Sequence, residues 1–496
     1  MKKKIFACLF VLFCAFAICG FASCQKHTHV YDREKIAMKY LANAATCTES
    51  AACYYSCRCG KVGTDIFSYG NPKGHTEVID PAVEPTKAED GLTEGRHCST
   101  CNVVFVKQQV IPAIGSQGLA FDGNTLIGIG DCSDAEIYIP EYTPGGAVVE
   151  KIGNSAFMNN KSVTYVKIPN GVKEIDSGAF LGCLALENVS FGKNVSVIAE
   201  WAFFGCSALS RVEIPDNVTE VADNAFNGCS SLSEVVFGAG VASIGDFAFY
   251  RCADLTEIVI PDCVKTIGNG AFYGCEGLVR VELGNGTSEI GETAFYNCKS
   301  LLSVTLGKSV TEIGNQAFQW CYKLVEVINL SALDIAAESE GFGGLCDGVL
   351  NVKTVGESDI VAKDGFYFYV HNGKNYLLGY DGEEVDLKLP KDFNGEKYEI
   401  YRYAFYNRSD IESVSLSVGV SGIGDFAFYG CSRLGIVDLP SGLEFIGIQS
   451  FGSCADLACI NYGGTTEQWL AVSKNSSWNA DCGDYLVVCS DGSVNE

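Results

Sequence analysis

The sequence predicts a solenoid of 23-residue coils, in which each coil contributes a short parallel β-strand, a tight turn and a short irregular or helical return. An Ala-Phe pair that recurs every 23 residues is the first observation behind this prediction. The second is an alternation of apolar residues, L-x-x-V-x-I, ahead of each pair, which is typical of a half-buried strand. The third is a Gly or Pro that closes each strand, where a turn is expected. The pairs begin at Ala156, Ala179, Ala202, Ala225, Ala248, Ala271, Ala294 and Ala317, and after a gap at Ala404, Ala427 and Ser450, the last with Ser in place of Ala.

The N-terminal residues have the composition of an export signal. Lys2–Lys4 precede an apolar stretch over residues 5–21 that is shorter than a typical membrane span. The stretch ends in Phe21-Ala22-Ser23-Cys24, which resembles a bacterial lipobox and implies that Cys24 becomes a lipidated first residue. A plain secretory signal cleaved at Ala22 or Ser23 is the alternative. We therefore expect an exported protein that is lipid-anchored at the bacterial cell surface.

The charge balance restricts the classes of partner. Lys and Arg number 35 against 60 Asp and Glu, which gives a formal net charge of -25. Such a surface repels phosphate backbones and anionic lipid headgroups, so we expect no nucleic-acid partner and membrane attachment only through the lipid anchor. Because 47% of the residues are hydrophobic and only 19% are charged, the chain is not a disordered acidic tail.

Within each coil the alternation assigns an inner and an outer face. In the third full copy, Val212 and Ile214 face the core while Arg211 and Glu213 face outward. A single coil cannot bury enough apolar surface to offset the entropy of ordering it, so neighbouring coils must stack and the ends need caps.

A cysteine follows most Ala-Phe pairs at a fixed offset. We interpret these thiols as small apolar fillers in the core. Stacked coils place equivalent side chains about 5 Å apart, so disulfides or metal binding are the alternatives. The series comprises Cys183, Cys206, Cys229, Cys252, Cys275, Cys298, Cys321, Cys431 and Cys454, with Asn160 and Arg408 at the equivalent positions of two copies.

The unit L-x-x-V-x-I-P…I-G-x-x-A-F-x-x-C resembles the BspA-type leucine-rich repeat of bacterial surface proteins, over about two-thirds of the chain. The resemblance implies a leucine-rich repeat solenoid with short parallel strands. It also implies an exported protein used in adhesion, in contact with host matrix or receptors, or in co-aggregation.

The rest of the chain divides around the repeats. Residues 119–157 resemble residues 366–405, and we interpret each as a start module for an array. Trp469 and Trp478 near the C-terminus suit a hydrophobic cap. We expect a signal peptide at 1–23, a Cys/His-rich module at 24–115, a first array with its start module at 116–340, an interruption with the second start module at 341–397, a second array at 398–462 and a cap at 463–496.

The Cys/His-rich module carries the candidate metal ligands. Cys98-Ser-Thr-Cys101 has the spacing that lets two thiolates reach one tetrahedral zinc ion. Against a metal, Cys57-Arg-Cys59 is one residue shorter. The stretch from Gly74 to Cys101 resembles a short module that precedes or links domains in some bacterial surface proteins, and this resemblance implies that Lys87 occupies a position where such modules often carry Cys. Structural disulfides and free thiols are the alternatives in an exported segment. The candidate zinc ligands are Cys47, Cys57, Cys59, His75, His97, Cys98 and Cys101.

Catalytic motifs are absent from the sequence, which holds no H-E-x-x-H, G-x-S-x-G or G-x-x-x-x-G-K-[ST] pattern. We therefore expect a non-enzymatic protein that binds an extracellular protein or glycan. A metal-dependent or hydrolytic activity in the Cys/His-rich module, with the repeats as spacer, and a structural envelope stalk are the alternatives.

The outward-facing strand positions are the candidate binding surface, because they are the repeat positions whose chemistry changes along the array. Two columns flank the central apolar residue of each strand and surround an apolar patch at Val236 and Val259. The candidate ligand-binding residues are Tyr165, Arg211, Glu234, Val236, Glu257, Val259, Arg280 and Glu282.

Overall fold

The computed structural model describes residues 28–337, 339 and 341–495. The leader and Cys24 lie outside the described residues, so lipidation stays a prediction. The described chain forms two compact units: the first comprises residues 28–84 and Gly91–Ile111, and the second comprises Pro85–Asp90 and residues 112–495. The predicted boundary at 115 therefore needs correction, because Pro85–Asp90 packs with the second unit. No described helix is both long enough and apolar enough to cross a membrane.

The first unit consists of small antiparallel sheets around little core. Tyr40, Cys53 and Phe67 are its buried cluster. One sheet contains Leu41–Asn43, Ala51–Ser56 and Val62–Tyr69; another contains Glu77–Asp80, Gly95–Cys98 and Val104–Val106; Gly91–Leu92 pairs with Val110–Ile111; and a 3-10 turn spans Met38–Tyr40.

The first array of the second unit is a parallel β-solenoid with strands on two faces. Each coil contributes a longer strand to one face and a two-residue strand to a ten-stranded sheet on the other. The longer strands form two five-stranded sheets: Glu136–Tyr138, Tyr165–Lys167, Asn188–Ser190, Arg211–Glu213 and Glu234–Val236; then Glu257–Ile260, Arg280–Leu283, Ser303–Leu306, Glu326–Asn329 and Asn351–Lys353. The ten-stranded sheet contains Ala120–Asp122, Thr125–Gly128, Lys151–Ile152, Glu174–Ile175, Val197–Ile198, Glu220–Val221, Ser243–Ile244, Thr266–Ile267, Glu289–Ile290 and Glu312–Ile313.

Equal coil length puts equivalent residues of neighbouring coils in contact. Residues 23 apart are direct partners in the parallel sheets, as in Arg211↔Glu234 and Val212↔Val235. The Phe rings from Phe157 to Phe318 stack with centroids 4.9–5.4 Å apart and planes within 8° of parallel. Such pairs add about 0.5–1.5 kcal/mol each beyond their burial. The return segments are turns, and the described α-helix Thr466–Ala471 lies in the cap.

The cysteines of the repeat are buried in the core. From Cys183 to Cys321, each thiol donates to the backbone carbonyl of the Phe 26 residues earlier, at 3.0–3.5 Å. Burial raises the pKa of Cys229 to about 12, which keeps its thiol protonated. The positions favour the interpretation as packed fillers.

The second array repeats the architecture of the first. In both start modules an antiparallel hairpin pairs in parallel with the first coil: Thr125 with Lys151, and Tyr376 with Glu399. Trp469 and Trp478 are buried in the core of this array, as a cap requires. Its strands are Val361–Lys363, Phe366–His371, Lys374–Tyr380, Tyr398–Ile400, Val420–Ile423, Phe445–Ile446 and Ser473–Lys474 on one face, and Asp386–Lys388, Ser413–Ser415, Ile436–Leu439, Cys459–Tyr462, Leu486–Cys489 and Gly492–Asn495 on the other.

The two arrays meet around the hairpin of the second start module. The strand Asn351–Lys353 follows a 3-10 turn at Phe342–Gly344 and pairs with Glu326–Asn329, so the first array extends beyond the predicted boundary at 340. Tyr369 and Leu378 from the hairpin pack against Leu302 and Val325 of the array. The outer positions Ser303, Glu326 and Ile328, which the alternation predicts as exposed, are therefore buried.

Candidate functional site

We define the open strand face as the outward side of the longer strands from Tyr165–Lys167 to Glu257–Ile260. Alternation places its side chains as predicted: Val212 is buried between the exposed Arg211 and Glu213. Val166 is likewise buried between Tyr165 and Lys167. The outward side chains of this face remain accessible to solvent, whereas several of those on the last coils of the array are buried.

A depression of about 960 Å³ lies on the open strand face. It crosses four neighbouring coils, so its lining combines residues far apart in sequence. The ring of Tyr165 lies 5.7 Å from that of Tyr138, which extends the aromatic surface to the preceding coil. The lining includes Tyr165, Asn188, Ser190, Arg211, Glu213, Asn217 and Val236.

The charged candidates on the outer strand positions form ion pairs with each other. Arg211 pairs with Glu213 at 2.6 Å and with Glu234 on the next coil. Arg280 and Glu282, which are half-buried, pair within their own strand. Because each of these arginines lies beside a carboxylate, the face presents both positive and negative side chains, although the chain as a whole is acidic.

The predicted apolar patch is exposed. Val236 is 42% and Val259 is 58% accessible. Glu257 borders a second depression of about 600 Å³ that Tyr367 and Tyr380 of the hairpin also line. The structure thus places six of the eight candidate strand residues on the open strand face, whereas Arg280 and Glu282 lie on the next strand, towards the hairpin-covered end.

The second depression contains a residue that the sequence analysis missed. Burial lowers the pKa of Lys323 to about 8, and its ammonium donates to the Ala404 carbonyl at 2.7 Å. Earlier coils have Gly277 and Ser300 at this position, so a long cation among small residues was the available signal. Lys323 links the two arrays at this contact.

In the first unit, four of the seven candidate metal ligands converge. One candidate ligand atom from each of Cys47, His75, Cys98 and Cys101 lies within 4.8 Å of every other. Cys47 and Cys98 are buried, and His75 and Cys101 are exposed. A backbone N–H from Thr100 lowers the pKa of Cys98 to about 5, whereas burial and its thiol neighbours raise that of Cys47 to about 11.

The remaining candidates lie outside this cluster. Cys57 and Cys59 form a second group with His29, in which their sulfur atoms are 2.7 Å apart. His97 instead bonds to Asp80, with Nδ1 2.9 Å from the carboxylate. The sequence prediction of His97 as a ligand therefore finds no support in the geometry.

The profile of the BspA type leucine-rich repeat region matches residues 150–257, 242–340 and 394–470. These segments make up more than half of the chain. The chain belongs to the BspA-type leucine-rich repeat family. Comparison with curated proteins finds no match.

Several solved leucine-rich repeat structures resemble this BspA-type protein. A leucine-rich cell surface protein from Faecalibacterium prausnitzii is 24% identical, and the alignment covers 72% of this chain and 98% of that one with a TM-score of 0.32. A protein from Bacteroides ovatus is 22% identical over 77% of this chain and 99% of its own, with a TM-score of 0.28. The T. pallidum leucine-rich repeat protein is 32% identical over 34% of this chain and 71% of its own, with a TM-score of 0.29.

Membership of the BspA-type family assigns the chain to a group of repeat proteins that are typically found at the cell surface. Two of the three matched ranges overlap and lie within the first array, and the third lies within the second array. The family therefore accounts for the solenoid, whereas the first unit lies outside the matched residues.

Proposed function

We propose that the chain is a non-enzymatic, surface-displayed binding protein whose open strand face holds an extracellular protein or glycan. The depression across Tyr165, Arg211 and Val236 carries this proposal. It lies on the part of the first array that the hairpin leaves uncovered, and it offers an aromatic ring, paired charges and an apolar edge within one surface.

The chemistry of this surface suits a neutral, polar partner. Tyr165 offers a ring for stacking, and Asn188 offers an amide that both donates and accepts hydrogen bonds. Arg211 has carboxylate partners already, so an incoming anion gains less from it than from a free guanidinium. Val236 adds apolar area at the rim. Hydroxyl-rich glycans and uncharged polypeptide surfaces both match these groups.

The binding test uses the full chain against arrays of glycans and of purified extracellular-matrix proteins. One variant carries Tyr165→Ala, Arg211→Ala and Val236→Ala, and a second carries Arg211→Ala, Glu234→Ala, Glu257→Ala and Arg280→Ala. We expect each variant to bind the best partner with an affinity at least about 10-fold lower, which corresponds to a loss of about 1.4 kcal/mol of binding free energy, because few contacts dominate an interface.

A matched control carries Glu220→Ala, Glu289→Ala and Glu312→Ala on the ten-stranded sheet, where all three are exposed. Its affinity and thermal midpoint should equal those of the parent. Equal affinity of the parent and both strand-face variants for that partner would exclude this face as the binding surface.

Surface display is tested on intact cells. Replacing Cys24 by Ala should release the protein into the medium if a lipid holds it, and protease added to intact cells should degrade only the anchored parent. Retention of the variant on the cells, or protection of the parent from protease, would contradict lipid-anchored display.

A further inference from the structure

We propose that Cys47, His75, Cys98 and Cys101 of the first unit bind one zinc ion in a tetrahedral site. Three thiolates and one imidazole are a preferred donor set for structural zinc. This inference is independent of the proposed binding function, because the four residues belong to the first unit and the open strand face to the second.

The distances between donor atoms agree with a tetrahedron around zinc. With Zn–S bonds of about 2.3 Å, two thiolates lie about 3.8 Å apart, and a thiolate and an imidazole nitrogen lie slightly closer. The sulfur atoms of Cys47 and Cys98 are 3.7 Å apart. Nδ1 of His75 is 3.3 Å from the sulfur of Cys101. Two independent edges of the tetrahedron are therefore already present.

The backbone positions each ligand. Cys98 ends the strand Gly95–Cys98, and Asn102 closes the turn after Cys101 with a positive φ of 60° and a bond from its N–H to the Cys98 carbonyl at 2.9 Å. The Thr100 N–H donates to the sulfur of Cys98 at 3.4 Å. Hydrogen bonds of this kind favour a thiolate, the form that ligates zinc.

Cys47 and His75 come from separate loops that the backbone joins. The Gly74 N–H donates to the Cys47 carbonyl at 3.2 Å, which places the next residue, His75, beside Cys47. The ring of Phe105 packs edge-on against the imidazole with centroids 5.4 Å apart and orients it. Three separate stretches of chain thus meet at this site, which a bound metal would hold together.

Two features argue against the alternatives at these four residues. A disulfide needs sulfur atoms about 2.05 Å apart, which is far below the separation of Cys47 and Cys98. A disulfide would also use two of the three thiols and leave His75 without a role. The group of His29, Cys57 and Cys59 supplies three donors, and its close sulfur pair is shorter than a tetrahedral edge, so the proposal is confined to the four-residue site.

The test measures zinc in the purified full chain. The protein is reduced, loaded with zinc alone and dialysed, and its metal content is determined by elemental analysis. We expect Cys101→Ser and His75→Ala each to bind one equivalent fewer than the parent, and His75→Cys to recover it, because cysteine restores a fourth donor. Cys53→Ala is the control, since Cys53 is buried in the same unit outside both groups.

Cobalt(II) loading provides a second readout. A residue that only supports the fold should not alter the visible absorption of the bound cobalt, whereas a direct ligand should. A tetrahedral thiolate site should give strong visible absorption in the parent, in Cys53→Ala and in His75→Cys, and Cys101→Ser should lose it. In competition with a chelator, Cys101→Ser should bind zinc more weakly by more than the roughly 10–100-fold that loss of an outer partner causes. Equal zinc content in the parent and in Cys101→Ser, or a disulfide that links two of the three cysteines in freshly isolated protein, would overturn the proposal.

Discussion

Two loop junctions of the molecule share part of their backbone and differ in their side chains. The first junction comprises Cys47, His75, Cys98 and Cys101, and the second comprises Lys87, Ser116, Cys132 and Asp134. Thr46 and Thr86 begin identical turns, with N–H bonds to the carbonyls of Glu49 and Glu89 at 3.0 Å in each case. The N–H groups of Gly74 and Gly115 donate to the carbonyls of Cys47 and Lys87, at 3.2 Å in both junctions.

The two junctions differ in the side-chain interactions that hold them together. At the second junction Lys87 replaces Cys47, and its ammonium lies 2.5 Å from the Asp134 carboxylate. Ser116 replaces His75, and its hydroxyl contributes to the lowered pKa of Asp134. Cys132 lies 3.5 Å from the same carboxylate. At the two positions with a shared backbone, Cys47 and His75 offer metal ligands, whereas Lys87 pairs with a carboxylate. The other two positions differ in backbone as well, because Cys98 ends a strand and Cys101 lies on the turn that follows, whereas Cys132 and Asp134 are one residue closer in sequence and lie outside strands and turns.

The largest expected effect is on the first unit when zinc is removed. Zinc sites in small domains contribute about 10–16 kcal/mol to folding, and the first unit has little core of its own. We expect chelation to raise hydrogen exchange throughout residues 28–84 and 91–111 and to leave exchange in the arrays unchanged. Zinc added back should restore protection in the parent and fail to do so in Cys101→Ser. Unchanged exchange in chelated parent would contradict a structural role for the metal.

A graft of ligands onto the second junction should produce a new zinc site. The variant carries Lys87→Cys, Ser116→His and Asp134→Cys, which together with Cys132 supply four donors, two of them one residue closer in sequence than Cys98 and Cys101. We expect its zinc content to rise by one equivalent over the parent.

The control for this graft carries the same substitutions with Cys132→Ala, which leaves three donors. It should bind the new zinc much more weakly, since structural zinc prefers four ligands. Identical zinc content in the graft and the parent would show that residues 132 and 134 cannot replace the turn of Cys98 and Cys101 as a ligand pair.

The smallest effect concerns the ion pair of the second junction. Hydrogen bonds from Lys87 and then Ser116 hold the pKa of Asp134 below its usual value. A carboxylate with a lowered pKa stabilises the fold above its unfolded-state pKa and loses this contribution as the pH falls through the lowered value.

Asp134→Asn should therefore lower the thermal midpoint of the second unit by at most about 2 °C at pH 7, since exposed pairs contribute little. The difference from the parent should vanish in acid once Asp134 is protonated. Lys167→Ala is the comparison, because its ammonium donates to a backbone carbonyl of the same loop, that of Ala88, and not to a carboxylate. A difference between Asp134→Asn and the parent that persists in strong acid would assign the effect to packing.

Much of the solenoid is predictable from the sequence, because its coils are local and equal in length. The alternation around Val212 assigns inner and outer positions correctly, and the 23-residue spacing predicts which side chains stack. The same rule fails at Ser303, Glu326 and Ile328. A hairpin more than 35 residues further along the chain covers these positions, and Glu326 accepts a hydrogen bond from Tyr369 at 3.3 Å.

Prediction of the metal ligands from the sequence is incomplete in a similar way. Cys98 and Cys101 are recognisable as a ligand pair from their spacing, because both lie on one turn. The other two ligands were chosen from a longer set that included His97, and only the fold separates them. His97 lies one residue before Cys98 in a strand, so its side chain points away from that of Cys98 and towards Asp80.

The sequence by itself determined the repeat, the inner and outer faces of the strands and the burial of the Phe and Cys series. These properties follow from short-range alternation and from an equal coil length that puts like residues in register. Only the tertiary structure decided which stretch of the strand face stays open and which thiols meet a histidine. Both depend on contacts between distant segments, such as Cys47 and Cys98, which lie 51 residues apart, and no local pattern encodes such a meeting.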